Sequence, residues 1–132
     1  MKSETDIDNK SPSKGNSQQT PPGILMWNNA IIYFSDPFTT ETTKPVIQFI
    51  IEKNLLRDSE RPKEITLVIN SPGGSVHAAF ALIDTMKASA IPIKTVGLGL
   101  IASCGILTFM AGNKGRRIIT PNTSILSHQY SW

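Results

Sequence analysis

Ser103 and Cys104 stand side by side in GLIASCGI, residues 99–106, a hydroxyl and a thiol among Gly and Ala inside an apolar run. Such a pair suits covalent catalysis if a base lies near enough to take a proton. A strand end, a turn between small residues and a serine at a helix start follow the logic of a nucleophile elbow. The pattern is not GxSxG, because Ile101 holds the first glycine position. A serine at a helix start also has a plainer use as an N-cap.

Two other stretches carry chemistry-bearing residues. In SPGGS, residues 71–75, Pro72 sets a turn and the paired glycines open backbone angles closed to other residues. The loop is either an ordinary strand-to-helix connection or one whose N–H groups bind an oxyanion or a substrate backbone. Its glycine spacing fits neither the Walker pattern nor GxGxxG. His128 follows the last apolar run, in SILSHQY, and reads either as a hydrogen-bonded strand-end histidine or as a base. His77, early in the helix after SPGG, reads as a polar helix position near the site.

The elements that must hold these residues follow from periodicity. NAIIYF reads as a strand. TTETTKPVIQFIIEKNLL reads as a helix with Val46, Phe49, Ile50 and Lys53 on one side and Pro45 in its first turn. EITLVIN is a short β-branched strand. VHAAFALIDTMKAS is a helix with Val76, Ala79, Phe80, Ile83 and Met86 on one face. IPIKTVGLGL is a strand, ASCGILTFMAG a short helix opening near Ser103, and GRRIITP and SILSHQY two more short strands. This alternation predicts an α/β domain of right-handed crossovers around a mainly parallel sheet. Ligands bind such sheets where strands end and helices begin, which is where SPGGS and IASCG lie.

Composition excludes several classes. Residues 1–23 are nearly free of apolar side chains and read as a disordered N-terminal tail; residues 24–132 form the single domain. The tail has neither the apolar core of a secretory signal nor the acid-poor character of a transit peptide. No run approaches the ~20 apolar residues of a membrane span. One cysteine rules out an internal disulfide and fits a reducing, cytoplasmic setting. One Cys and two His give no metal-ligand spacing, so no metal is expected. The net charge of +3 is densest at Lys114, Arg116 and Arg117, which lack interleaved aromatics and read as a solvated turn rather than a nucleic-acid contact.

Taken together, SPGGS, IDTM, AS-x-G and NKGRR-x-x-x-PN-x-x-x-x-x-HQ resemble the proteolytic subunit of the ATP-dependent Clp protease. The resemblance runs from about Ile31 to Gln129. It includes the intervals of 29 positions from Gly74 to Ser103 and 25 from Ser103 to His128. It implies that Ser103 is the nucleophile and His128 the general base, with the backbone N–H groups of Gly74 and Cys104 forming the oxyanion hole. A hydroxyl needs such a base, and a tetrahedral oxyanion needs fixed donors. The side chain at 104 then matters little, so a cysteine can stand where the family usually has methionine. Gly73, Gly74, Ser75 and Val76 would bind the substrate backbone by strand addition.

The resemblance further implies the ClpP/crotonase-like fold and a homo-oligomer of stacked rings. Unfolded polypeptides would be cut inside the chamber, fed by an AAA+ unfoldase ATPase. The chain has no nucleotide loop, so ATP would be used by that partner and no cofactor is expected here. The family's triad aspartate lies well downstream of the histidine, and no aspartate here matches it: Asp84 falls in IDTM, and Asp36 and Asp58 fall in loops. The chain therefore reads as a fragment lacking its C-terminal part, inactive alone if the acid is truly absent. Three alternatives remain: a non-catalytic ring subunit, a crotonase-type acyl-CoA enzyme, and a Ser–Lys signal-peptide-peptidase relative.

Overall fold

The computed structural model describes residues 21–128. The expected tail falls outside the described residues up to residue 20, as do Gln129–Trp132 at the end of the SILSHQY stretch. A short helix, α1 (Ile24–Asn28), leads into β1 (Ile31–Phe34). Periodicity does not reveal this helix. Its Trp27 meets Phe49 edge-on at 4.3 Å, so the turn is anchored by an aromatic contact distant in the chain.

Helix α2 spans Thr40–Leu55 and opens with a reciprocal cap: Thr42 N–H donates to the Thr39 hydroxyl (3.0 Å) and Thr39 N–H to the Thr42 hydroxyl (2.9 Å). This cap starts the helix early enough to place Pro45 beyond the first turn, a correction to the sequence expectation. Thr43, Val46, Phe49 and Ile50 are buried, while Lys53 lays its ammonium 5.2 Å from the centre of the Phe49 ring. A 3-10 turn at Asp58–Glu60 precedes β2 (Ile65–Ser71). Then come α3 (Val76–Ala88), β3 (Ile93–Ala102), α4 (Cys104–Met110), β4 (Arg117–Ile119) and β5 (Ser124–Leu126).

The result is an α/β fold whose named strand pairings are all parallel, in the order β1-β2-β3-β4. β4 and β5 share one edge of β3: Thr95–Gly97 face Arg117–Ile119, and Leu100–Ala102 face Ser124–Leu126. The inward side chains of β1, β2 and β3, Ile32, Phe34, Ile65, Leu67, Ile69 and Ile93, form the core with α2 and α3. Each such side chain contributes about 1.5–3 kcal/mol by leaving water.

Two details set the direction of the strand that reaches Ser103. Between Ile69↔Gly97 and Ser71↔Ile101 the β2–β3 register slips, leaving β3 with two extra residues opposite Asn70. A bulge of this kind bends a strand and re-aims the residues beyond it. The Thr95 hydroxyl, fully buried, donates to the Phe109 carbonyl at 2.7 Å and ties β3 to the end of α4.

The inward face of α3 keeps the expected Ala79, Ile83 and Met86 but not Phe80 or the half-buried Val76. Ala78, Ala79, Leu82, Ile83 and Met86 are buried, whereas Phe80 is 45% exposed. The basic turn is committed to local structure: Arg116 pairs with Glu64, and Arg117 Nε donates to the Gly112 carbonyl at 2.9 Å. The α3 assignment is checked by denaturant unfolding. Leu82→Ala should cost about 2–5 kcal/mol, and Phe80→Ala less than about 1.5 kcal/mol. Comparable losses would return Phe80 to the core.

Candidate active site

Three strand ends meet at the sequence-derived site. β2 runs into the SPGGS loop, β3 into Ser103, and β5 lies against the end of β3. Ser71, wholly buried, fixes the first of these. Its hydroxyl donates to the Asp36 carbonyl (2.7 Å) and accepts the Gly73 N–H (3.2 Å). The loop is then gripped from one side by Phe38, whose N–H donates to the Gly73 carbonyl and whose carbonyl accepts the Ser75 N–H, both at 2.8 Å.

The two glycines are demanded by close approach as much as by angle. Gly73 has φ +94°, and a Cβ there would lie 2.8 Å from Ser103 Cβ and 3.4 Å from Ser103 Oγ. Gly74 has φ +147°, and a Cβ there would lie 2.5 Å from the Phe38 carbonyl oxygen. Both arms of the site therefore touch through a gap that admits no side chain.

Ser103 occupies φ +55°, ψ −125°, a conformation that costs a non-glycine residue about 1–3 kcal/mol. It is held by its backbone: its N–H donates to the Leu126 carbonyl (2.9 Å) and its carbonyl accepts the Ile106 N–H (3.0 Å). Its hydroxyl does not cap α4. The capping serine of the site is Ser75, which accepts the Ala78 N–H at 3.3 Å and starts α3. The choice left open by sequence, cap or exposed hydroxyl, thus falls differently at the two serines.

Cys104 is fully buried, with Sγ 3.7 Å from the Gly74 carbonyl oxygen and 3.9 Å from that of Ser75. Burial pushes its thiol pKa up, and backbone hydrogen bonding at Gly74 offsets this only in part. Its N–H stands in the first turn of α4, where no intrahelical acceptor exists. The Gly74 N–H likewise has no backbone partner among the described residues. The Cys104 N–H directly follows Ser103 in the chain, and the Gly74 N–H directly follows Gly73, the residue packed against Ser103.

Ser103 is half-buried and Gly74, Ser75 and His128 are exposed, with Val76 half-buried. His128 lies two residues beyond Leu126, the residue bonded to the Ser103 N–H, so its backbone is within about 7 Å of Leu126. His77 turns instead toward α2, lining a groove with Thr40, Lys44 and Gln48. Asp84 lies on α3 two turns past the loop, and Asp58 pairs with Arg61 at 2.9 Å. Asp36 enters the site only through its carbonyl. Among the described residues no cluster of three His, Cys, Asp or Glu could hold a metal, and no helix is long and apolar enough to cross a membrane.

Phe38 and Asn70 do not stand out as site residues in the sequence, and Ser71 does so only as the first residue of SPGGS. Ser71 and Asn70 carry a faint signal, polar residues at the end of an otherwise apolar strand. Phe38 carries none, because its role is a pairing across 36 positions.

Comparison with known proteins places these features in a family. The Clp protease family model matches residues 14–131. The proteolytic subunit of the ATP-dependent Clp protease of Deinococcus radiodurans is 37% identical over 102 residues, covering 76% of this chain and 48% of that protein. Proteolytic subunit 1 of Leifsonia xyli is 49% identical over 75 residues, covering 57% of this chain and 38% of the relative. The chain therefore spans about half or less of the length of these relatives. The crystal structure of the ClpP protease catalytic domain from Plasmodium falciparum superposes with a TM-score of 0.73 and 30% identity, over 81% of this chain and 58% of that one. On the agreement of family model, relatives and fold, the chain belongs to the Clp protease family.

Proposed function

We propose that the chain carries the nucleophilic part of a serine endopeptidase subunit. The observation that supports this most is the backbone of Ser103, held at φ +55° beside Gly73 with its hydroxyl not spent on a cap. The Ser103 hydroxyl attacks the scissile carbonyl, and His128 takes its proton and returns it to the leaving amine. The oxyanion forms between the N–H groups of Gly74 and Cys104, where removal of one such donor commonly costs about 2.7–4 kcal/mol of barrier. Cys104 serves through its backbone: a buried thiol with a raised pKa has little thiolate to attack with.

The substrate lies extended along Gly73–Val76. Phe38 already engages the Gly73 carbonyl and the Ser75 N–H, so an added strand meets the alternate edge, the N–H groups of Gly74 and Val76. Recognition through the backbone gives broad sequence tolerance, suited to unfolded polypeptides. In the reading carried from the family, copies of the subunit assemble into rings in the cytoplasm, and a partner AAA+ ATPase unfolds the substrate and uses the ATP. The chain itself then needs no cofactor.

Two outcomes are expected. A fluorophosphonate should label the protein at Ser103, read by peptide mass. Ser103→Ala should abolish labelling, and His128→Ala should slow it by at least about 100-fold. Labelling elsewhere, or none on the full-length protein, contradicts the assignment.

Cys104 should resist iodoacetamide at pH 8 in the folded protein and react at least about 100-fold faster once unfolded. Because the folded thiol pKa is raised, the unfolded chain ionises first as pH climbs past the ordinary thiol value. It then binds fewer protons than the folded state, and this group's contribution to stability falls with rising pH. Rapid alkylation of the folded protein would contradict the buried, backbone-only role.

A further inference from the structure

Asn70 sits at the junction of both arms of the site without touching Ser103. Its Oδ1 accepts the Leu100 N–H at 3.1 Å, and its Nδ2 donates to the Tyr33 hydroxyl at 3.0 Å. The first bond falls in the β2–β3 bulge, where the register passes from Ile69↔Gly97 to Ser71↔Ile101. The side chain stands in there for a missing ladder partner. Gly99, at φ +71°, is the residue that lets the strand fold around it: a Cβ at Gly99 would lie 2.7 Å from Asn70 Oδ1.

The bulge leads directly into the nucleophile arm. Three residues after Leu100 the chain reaches Ser103, and Leu100, Ile101 and Ala102 are the residues that pair with β5. On the neighbouring strand, Asn70 leads into the oxyanion arm, beginning with Ser71 and its bond to the Gly73 N–H. One amide therefore links the two chains just before each turns into the site. We propose that Asn70 is a positioning residue: by closing the bulge in β3 it sets the direction of Ser103 relative to the Gly74 N–H. Tyr33 is its support, fixing the amide from β1.

This rests on the reading of Ser103 as a nucleophile, and the test separates the two claims. Asn70→Asp keeps an acceptor for Leu100 and can accept from the Tyr33 hydroxyl; Asn70→Leu has similar size and no acceptor. Fluorophosphonate labelling would be followed against probe concentration, with amide hydrogen exchange at Leu100 measured on the same proteins. In Asn70→Leu the labelling rate at saturating probe should fall at least about tenfold, with the half-saturating concentration within about threefold. Leu100 exchange should accelerate in the same variant, and Asn70→Asp should restore both. A merely structural residue would not give this split or this rescue. Unchanged saturating labelling in Asn70→Leu, or unchanged Leu100 exchange, overturns the proposal. If the unsubstituted protein is not labelled at all, the nucleophile reading fails. Leu100 exchange then judges the bulge alone: equal protection in both variants overturns the role of the amide, and loss in Asn70→Leu alone supports it.

Discussion

No side chain fits between Gly73 and Ser103. A Cβ at Gly73 would stand 2.8 Å from that of Ser103, closer than two carbon atoms can rest. The site depends on this contact, because it brings a strand end carrying a hydroxyl against a loop carrying an N–H donor. Phe38 presses from the other side of the same loop and leaves Gly74 no more room. Glycine is required at both positions by space first and by backbone angle second. Any larger residue at either position would push the SPGGS loop away from Ser103 or from Phe38.

The strain in Ser103 is confined by its neighbours. Its left-handed φ is over-determined by a bond to β5 before it, a bond into α4 after it, and a fully buried Cys104 next in line. Burial of that thiol anchors the first turn of α4, and with it the Cys104 N–H that the proposed function assigns to the oxyanion. The apolar side chain and the polar backbone of one residue thus do different jobs. Behind the site, the β3 bulge and the Thr95–Phe109 bond set the approach of the strand and the far end of the helix.

Much of this is legible in the sequence, and the exceptions share a cause. SPGGS and the small residues around Ser103 stand out locally, whereas the roles given to Ser103 and His128 rest on the family resemblance and its intervals. From β1 onward, the order of the strands and α-helices follows from periodicity. The inward face of α3 does not, because VHAAFALIDTMKA carries two overlapping apolar stripes, one through Phe80 and one through Leu82. Nothing within the helix says which of them meets the sheet. The Phe38–Gly74 pairing and the Asn70 bond to Leu100 are decided by which distant strands lie together, and residue type alone does not encode that. The start of α2 is read to within a residue; what escapes is the Thr39–Thr42 cap, which leaves Pro45 inside the helix rather than in its first turn.

The proposed mechanism turns on one oxygen held by two N–H groups, those of Gly74 and Cys104. The most direct measurement is a crystal structure of the full-length protein with a phosphonate on Ser103. The phosphoryl oxygen should lie within about 2.7–3.1 Å of both the Gly74 and Cys104 nitrogens. A phosphoryl oxygen turned to solvent, or an adduct on Cys104 Sγ, would contradict this arrangement.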